Sequence, residues 1–372
     1  MNQMENMTEA TRNISIAEIS LTEAEIAAAT EVLRSGNLRQ GPHCGAFEEE
    51  FASYVGAKHC ITCANGSAAL HLVYMTFLEP GDEVLVPSMT FIATASMVSA
   101  AGGVPVFVET DRDTFLMDLD DAESKVTERT RAISPVHLFG NVVPFEPVEK
   151  LASRHDLKVV WDASQAHGAR YMGRDVGSGD GFVTWSFYPS KNMFVGEGGM
   201  IATGSEEFAH QLKYLKSHGQ TGKYFHTMPG LNYRMTDVEA AIGREQLKRL
   251  DDMLAIRRRN GEMLKEGLAD LEGLSVQKQT PKSDHAWHQF GVVVEKSFGC
   301  DKETFRQRLG EKGIATGIAY PRGLHQQPVF GEQPALPVTE EICDGIVNLP
   351  VHHGLSEDDV MYVIDAVRGL RP

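Results

Sequence analysis

The amino-acid sequence predicts an α/β fold whose mainly parallel sheet is covered by helices on both faces. Short apolar runs rich in β-branched and aromatic residues alternate with amphipathic helical segments over the first two-thirds of the chain. Turn signals such as the EPGD at 79–82 separate them. Strands are predicted at 60–64, 83–87, 104–108, 132–136, 158–162, 182–187 and 200–203. Helices are predicted at 23–34, 47–55, 67–78, 93–101 and 145–155.

The length of 372 residues suits about two domains. We expect a large domain over residues 1–250, with a helical segment at its N-terminus, and a small C-terminal α/β domain over residues 251–372. The small domain follows a long polar helix around 249–259, with helical patterning to 271. It contains a strand at 289–296 and helices at 302–312 and 357–367. Ser356 and Asp359 resemble a capping box that opens the last helix.

Composition excludes some function classes. A hydrophobic content of 42% and a charged content of 23% are ordinary for a soluble globular protein, and the net charge of −16 argues against non-specific nucleic-acid binding. An anionic substrate stays possible, because a site can be locally basic. The first 13 residues are polar and lack a signal pattern, and the apolar region 88–108 is interrupted by Gly102, Gly103 and Pro105. We therefore expect a cytoplasmic protein that does not bind membranes.

The five cysteines include one CxxC pair, Cys60 and Cys63, with no second pair at zinc spacing. The pair lies in a predicted strand, where positions three apart point to opposite faces of the sheet. That geometry suits neither a shared metal ion nor a local disulfide. We expect packed, reduced thiols and no metal site.

The segment SFYPSKNMFVGEGG, residues 186–199, places Lys191 in a short connection between two predicted strands. A lysine held there can be partly desolvated, which lowers the pKa of its amine and makes the neutral amine a nucleophile. An ordinary exposed loop lysine would have the same local sequence. This segment alone leaves both interpretations open.

Polar residues follow three other predicted strands, where parallel sheets bind ligands. Asn65-Gly66-Ser67-Ala68 opens a helix and could hold a phosphate, or it could be a plain N-cap. Phe91 could stack on a planar ring or lie in the core. Asp162, in WDASQAHGA with Gln165 and His167, could cap a helix, but the neighbouring polar residues favour a polar pocket.

Six ordered motifs together resemble the DegT/DnrJ/EryC1/StrS family of pyridoxal-phosphate-dependent sugar aminotransferases. The resemblance covers residues from about 16 to 370, and it implies the type I, aspartate-aminotransferase fold. The motifs are ANGSAALHL, VPSMTFIAT, VHLFG, WDASQAHGA, SFYPSKNMFVGEGG and LNYRMTDVEAAIGREQL.

The resemblance implies a role for each matching residue. Lys191 would form the Schiff base with pyridoxal 5′-phosphate and later move a proton. Asp162 would pair with the ring nitrogen, Gln165 would lie near the ring hydroxyl, and Phe91 would stack on the ring. The phosphate would be held by Gly66, Ser67, Ala68 and Ser186, and by Asn232 of a neighbouring subunit, which requires a homodimer.

The implied reaction moves an amino group, with L-glutamate as donor, to a keto sugar such as a nucleotide-linked 3- or 4-keto-deoxysugar. Lys191 argues against the family's 3-dehydratases, in which histidine replaces the lysine. Ala319 stands where the family often has histidine, which suggests a different sugar pocket. The sugar, its nucleotide and the choice between C3 and C4 stay open.

Several side chains stay candidates only. Four side chains could hold the diphosphate of a sugar nucleotide, although solvated surface charge is the favoured interpretation of each: Arg234, Lys223, Arg322 and His325. His137 could face the site or the core. Two other function classes also stay open: a pyridoxal enzyme acting on amino acids, such as a lyase or desulfurase, and a catalytically silent cofactor-binding regulator.

Overall fold

The computed structural model describes residues 12–371, so the first eleven residues of the polar N-terminal stretch lie outside the described residues. The helices are α1 Glu23–Ser35, α2 Pro42–Val55, α3 Gly66–Tyr74, α4 Ala93–Ala100, α5 Leu119–Ser124, α6 Phe145–His155, α7 Glu206–Leu215, α8 Asp237–Leu268, α9 Lys302–Glu311, α10 Pro337–Gly345 and α11 Glu357–Arg368. The strands are β1 His59–Cys63, β2 Glu83–Pro87, β3 Val104–Val108, β4 Thr130–Ile133, β5 Lys158–Asp162, β6 Arg170–Tyr171, β7 Arg174–Asp175, β8 Phe182–Ser186, β9 Gly199–Thr203, β10 Gln220–Gly222, β11 Phe225–His226, β12 Leu274–Val276, β13 Ser283–Asp284, β14 Phe290–Val294 and β15 Ile346–Leu349.

Seven strands form the central sheet in the order β1-β9-β8-β5-β4-β2-β3. The pairs from β8 through β3 are parallel, whereas β9 is antiparallel to both of its neighbours. β9 reverses because residues 187–198 return the chain without a helical crossover, and only antiparallel strands can be joined so directly. The predicted α/β class with a mostly parallel sheet is confirmed, and Lys191 lies in this return loop.

Successive residues of the central strands pack on opposite faces of the sheet. In β5, Val159 and Trp161 contact one hydrophobic core, which contains residues of α2, α6 and α8, while Val160 contacts a second core, which contains residues of α3 and α7. All five residues of β2 are buried. Burial on both faces explains why these strands are near-continuous apolar runs rather than alternating ones.

α8 runs unbroken through residue 250, where the sequence placed the domain boundary. Its start is fixed by a capping box of Thr236 and Glu239, and Asp237 accepts hydrogen bonds from the backbone N–H groups of Gly41 (2.8 Å) and Cys44 (3.0 Å). The predicted helix at 249–271 is thus only the second part of a helix of 32 residues. The division into two domains stays a prediction.

A second, antiparallel sheet of β12, β14 and β15 has its own core with α9 and α11. The chain between this sheet's last two strands also returns to the central sheet. Leu324 and Leu336 pack with Val86 of β2 and Phe107 of β3. This contact joins the C-terminal part of the chain to the outer strands of the central sheet.

Several predicted bounds match those of the structure, namely β2, β3, β5 and α6. α2 begins at Pro42, five residues before the prediction, because proline is well suited to a first helical turn. Ser356 and Asp359 form the predicted capping box of α11. Cys60 and Cys63 are both buried in β1. No helix between residues 12 and 371 combines the length and apolar character that crossing a bilayer requires.

Candidate active site

A cavity of about 570 Å³ opens at the carboxyl ends of the central strands. Seven of the predicted site residues line it: Gly66, Ser67, Phe91, Asp162, Gln165, Ser186 and Lys191. The rest of the lining comprises Asn65, Leu70, Thr90, Ala93, Val136, Ser164, Tyr188, Ser190, Glu197, His288, Gln289, Ala319 and Tyr320. Residues from separate strand ends therefore meet in one place, as the parallel sheet predicts.

Lys191 is held by the loop between β8 and β9. Its backbone N–H donates to the carbonyl of Tyr188 (2.9 Å), and Phe187 pairs with Gly198 (2.8 Å) to close the loop. The amine donates no hydrogen bond to any residue between 12 and 371. Burial lowers the pKa of this amine to about 8, and the negative charge of Asp162 partly opposes that shift. A substantial neutral fraction is therefore present near pH 8, which makes Lys191 a competent nucleophile.

Asp162, at the end of β5, is 5% exposed. Its carboxylate accepts hydrogen bonds from the Thr94 hydroxyl (2.9 Å) and from the backbone N–H of Ser164 (3.0 Å). Within the described residues it has no ion-pair partner. A buried carboxylate is costly without a cation, so the cavity is arranged to receive a positively charged group beside Asp162.

The N-terminus of α3 packs directly against Ser186 at one side of the cavity. Asn65 caps the helix by accepting the backbone N–H of Ala68 (2.8 Å). A Cβ added to Gly66 would lie 2.6 Å from the Ser186 Cβ, so only glycine permits this approach. The N–H groups of Gly66 and Ser67, in the first turn, have no carbonyl to bond within the helix. Together with the hydroxyls of Ser67 and Ser186, these N–H groups form a cradle for an anion.

Gln165 links the two sides of the cavity. Its Oε1 accepts the backbone N–H of Phe139 (2.8 Å), and its amide donates to the Tyr320 hydroxyl (3.0 Å). Phe91 lies across the opening from Tyr320, with ring centroids 6.4 Å apart. Phe91 stays more than half exposed, so its ring can accept a planar partner.

The wall formed by His288 and Gln289 is supported by α8. Arg257 is buried and donates to the carbonyl of Trp287 (3.2 Å), while Arg258 donates to the carbonyl of His285 (3.3 Å). Burial, and the nearby charges of Lys191 and Arg257, hold the pKa of His288 well below its usual range. His288 therefore presents a neutral imidazole to the cavity.

Two predicted site residues do not line the cavity. The backbone N–H of Ala68 donates to the Asn65 side chain, so it is not available to an anion. The anion cradle is therefore formed by Gly66, Ser67 and Ser186, which line the cavity. Asn232 is exposed and pairs through its backbone with Ser217. Its exposure is compatible with a contact to another subunit, which stays a prediction.

The five candidate side chains also lie elsewhere. Arg234 donates to the Ser217 hydroxyl (3.0 Å) and lines a separate cleft of about 600 Å³. Lys223 and Arg322 are exposed, and His325 is buried against Ser88. His137 is stacked on Trp161, and burial lowers its pKa to about 3. Of the two interpretations of His137, the structure supports the core histidine.

Sequence reasoning missed several residues that line the cavity or support its lining. Glu197 and Tyr188 lie in the same segment as Lys191 but had no chemical signal of their own. Thr94 and Tyr320 were passed over because their roles depend on distant partners, Asp162 and Gln165. The one local sequence signal for Tyr320 was its place directly after Ala319, a position already associated with the sugar pocket.

Comparison with known proteins identifies the family of this chain. The model of the DegT/DnrJ/EryC1/StrS aminotransferase family matches residues 20–368. This chain belongs to the DegT/DnrJ/EryC1/StrS aminotransferase family. It is similar to the dTDP-3-amino-3,4,6-trideoxy-alpha-D-glucose transaminase of Streptomyces venezuelae, with 39% identity over 92% of this chain and 90% of the relative. It is also similar to the GDP-perosamine synthase of Caulobacter vibrioides, with 36% identity over 86% and 88% of the two chains.

The fold is shared with solved structures of the DegT/DnrJ/EryC1/StrS family. DesV of S. venezuelae, solved in complex with a ketimine intermediate, superposes with a TM-score of 0.89 at 38% identity and covers 93% of both chains. The protein is therefore a pyridoxal-phosphate-dependent aminotransferase.

The cavity fits pyridoxal 5′-phosphate on three grounds. The unbonded Lys191 amine suits a Schiff base, and the unpaired Asp162 carboxylate suits a protonated ring nitrogen. The start of α3 beside Ser186 suits the phosphate. The chemistry of the donor set thus agrees with the cofactor of the DegT/DnrJ/EryC1/StrS family.

The Gly66→Ala variant is expected to bind pyridoxal 5′-phosphate at least about tenfold more weakly than the parent chain, because its Cβ would push the start of α3 away from Ser186. Titration of the cofactor-free protein, followed by fluorescence, measures this affinity. Gly45→Ala on α2 is the matched control, since its Cβ meets nothing within 4 Å. The control should keep the affinity and stabilise the fold by about 1 kcal/mol. Unchanged affinity in Gly66→Ala would contradict the phosphate assignment.

The rate at which the cofactor attaches to Lys191 is expected to rise with pH with a midpoint near 8, rather than at the ordinary lysine value of 10.5. Only the neutral amine attacks, and a lowered pKa increases the neutral fraction at every pH below the midpoint. Stopped-flow mixing of cofactor with cofactor-free protein measures the profile. In Asp162→Asn the midpoint should move lower still, because Asp162 raises the pKa of Lys191. A midpoint at the ordinary lysine value would show that Lys191 is not desolvated.

Proposed function

We propose that this protein is a cytoplasmic homodimer that transfers the amino group of L-glutamate to a nucleotide-linked 3- or 4-keto-deoxysugar. The observation that carries the proposal is that a desolvated Lys191 amine and a buried Asp162 carboxylate line the same cavity of about 570 Å³. The names of the relatives from S. venezuelae and C. vibrioides supply the sugar class.

The chain's own residues would divide the chemistry between them. When bound, the cofactor supplies an electron sink for the carbon that loses its proton. Asp162 would keep the ring nitrogen protonated, because its carboxylate forms no ion pair with any of the described residues. Lys191, once free, would carry the proton between the substrate and the cofactor, since its pKa of about 8 suits both gain and loss near neutral pH. Phe91 would fix the plane of the ring.

The acceptor side of the cavity suits an uncharged, hydroxyl-bearing group. Lys191 is the sole lysine or arginine that lines it within the described part of the chain. Tyr188, Ser190, Gln289 and Glu197 offer donors and acceptors to sugar hydroxyls. Ala319 leaves space on the wall beside Tyr320. A nucleotide diphosphate would then lie outside the cavity, where another subunit can contact it.

The homodimer is supported by surface features near Asn232. The β10–β11 hairpin carries Tyr224 and Phe225, which are 84% and 64% exposed. Adjacent aromatic residues with so little burial favour a surface that a second copy of the chain covers. Asn232 and Arg234 lie close behind this hairpin in the sequence. We infer that they would act on the partner's site.

Subunit mixing tests the shared site. Lys191→Ala and Asn232→Ala chains are each expected to be weakly active alone, and mixing after mild dissociation should restore roughly a quarter of the parent activity. In the mixed dimer one site has both mutations and the other has neither. Mixing Lys191→Ala with a chain carrying both substitutions is the matched control and should restore nothing. Absence of complementation would place Asn232 in the site of its own subunit, or outside any site.

The reaction itself is tested by loading the protein with pyridoxamine 5′-phosphate and adding a panel of dTDP- and GDP-linked 3-keto and 4-keto sugars. The expected result is conversion of the cofactor back to its aldehyde form together with an amino sugar of matching mass. Conversion with α-keto acids but no keto sugar would overturn the sugar assignment. Release of pyruvate from amino acids would indicate a lyase instead.

A further inference from the structure

Ser88, His325 and Glu340 form a hydrogen-bonded chain outside the catalytic cavity. The Ser88 Oγ lies 2.6 Å from the Nδ1 of His325, and the Nε2 of His325 lies 3.1 Å from the Glu340 carboxylate. Ser88 is fully buried and His325 is 5% exposed. Ser88 follows directly after β2, whereas His325 lies in the one-turn 3₁₀ helix Leu324–Gln326. Two segments far apart in the sequence are thus joined side chain to side chain.

Backbone hydrogen bonds determine which group donates and which accepts in this hydrogen-bonded series. The backbone N–H of His325 donates to the Ser88 Oγ (3.3 Å), so the single hydroxyl proton of Ser88 is free to donate to Nδ1. Nδ1 is then an acceptor, so the ring N–H lies on Nε2 and donates to Glu340. Glu340 also accepts the backbone N–H of Leu336 (3.2 Å). Every donor among these three side chains has an acceptor, so their hydrogen bonds have one fixed arrangement.

The two joined segments are also packed tightly against each other. The backbone N–H of Leu324 donates to the carbonyl of Ser88 (2.8 Å). A Cβ on Gly323 would lie 2.6 Å from the His325 ring and 2.8 Å from the Ser88 Oγ. Gly323 therefore lets the backbone approach the imidazole and the Ser88 hydroxyl closely.

Each segment carries one side of the cavity opening. Thr90 and Phe91 follow Ser88, and Thr90 contacts Thr94 (3.3 Å), which holds Asp162. Tyr320 precedes His325 on the other side and is bonded to Gln165. The Ser88–His325 contact therefore joins the two segments that carry the facing rings of Phe91 and Tyr320.

We propose that His325 is a positioning residue that sets the separation of Phe91 and Tyr320, and through it the fit of the acceptor substrate. The proposal rests on the function proposed above for the cavity, but its structural part does not. His325 does not line the cavity, so it cannot contact the reacting atoms. It acts through Ser88 on one wall and through its own backbone on the other.

Two substitutions test the two side-chain hydrogen bonds of His325 separately. His325→Asn places an amide oxygen close to the position of Nδ1 and can still accept from Ser88, but it cannot reach Glu340. His325→Gln places an amide nitrogen close to the position of Nε2 and can still donate to Glu340, but it loses the acceptor for Ser88. His210→Gln, at an exposed histidine on α7, is the control for the change of residue type.

Hydrogen–deuterium exchange of the cofactor-free protein tests the structural part. We expect exchange in peptides covering 88–94 and 319–327 to be about tenfold faster in His325→Gln, and less than about threefold faster in His325→Asn and in the His210→Gln control. If His325→Gln does not fold, Ser88→Ala, which removes a single oxygen atom, gives the same comparison. Unchanged exchange in both His325→Gln and Ser88→Ala would overturn the proposal. This measurement needs neither cofactor nor substrate, so its failure is distinct from failure of the proposed function.

Kinetics test the positioning part. His325→Gln is expected to raise KM for the acceptor about tenfold while kcat and KM for the amino donor change less than about threefold. Adding Ser88→Ala to His325→Gln should have little further effect, because both substitutions break the same contact. A merely structural role would instead lower the active fraction and the unfolding temperature and leave KM unchanged. That outcome, or full additivity of the two substitutions, would contradict the assignment.

Discussion

Replacing Lys191 by alanine is expected to lower turnover by at least about 10,000-fold. The amine has two proposed tasks, holding the cofactor covalently and moving the proton, and alanine performs neither. Its depressed pKa of about 8 is the property that both tasks use. Steady-state assays with L-glutamate and the acceptor sugar measure the loss. Borohydride reduction followed by mass spectrometry should place the cofactor's mass on the Lys191 peptide of the parent chain.

Lys150→Ala, at an exposed lysine on α6, is the matched control and should retain full turnover and the reduced adduct. Cofactor can still bind Lys191→Ala without a covalent bond, because the phosphate cradle and Asp162 are intact. Full turnover in Lys191→Ala, or an adduct on another lysine, would show that the cavity described here is not the catalytic one.

The second large effect is expected for Asp162→Asn, whose turnover should fall by about 100- to 1,000-fold. An amide carries no charge to keep the ring nitrogen of the cofactor protonated, so the electron sink weakens. The substitution should leave the unfolding temperature of the cofactor-free protein nearly unchanged, because the amide oxygen can still accept from Thr94 or from the backbone of Ser164. Turnover and thermal unfolding together separate a chemical effect from a structural one.

Asp156→Asn is the control for this substitution. Asp156 ends α6 in a left-handed conformation with φ of 51°, which asparagine adopts equally well, and it is exposed. We expect its turnover to match that of the parent chain. If Asp162→Asn also kept its turnover, the ring nitrogen would have to be supported by a different group.

The parts of the fold that the sequence predicted well are those determined by neighbouring residues. β2, β3 and β5 are β-branched runs between turn residues, and their bounds matched. Lys191 was placed correctly in a loop because the flanking strands are local features. The first half of α8 was missed, although a capping box at Thr236 and Glu239 marks its start.

The parts that could not be predicted depend on contacts between distant residues. Ser88 and His325 are 237 positions apart, and no local pattern relates them. Tyr320 reaches Gln165 across 155 positions. His288 was not recognised, because its place in the cavity wall depends on how α8 holds the adjoining backbone. Such contacts follow from how distant segments of the chain pack together rather than from periodicity or turn chemistry.

The continuity of α8 also limits how this gene can vary in length. Inserting one residue between Leu250 and Arg257 would rotate Arg257 and Arg258 by about 100° around the helix axis and separate them from the carbonyls of Trp287 and His285. The other end of the helix is fixed through Asp237 to the start of α2, so it could not turn to compensate. Orthologous sequences should therefore show no insertions or deletions between residues 237 and 268.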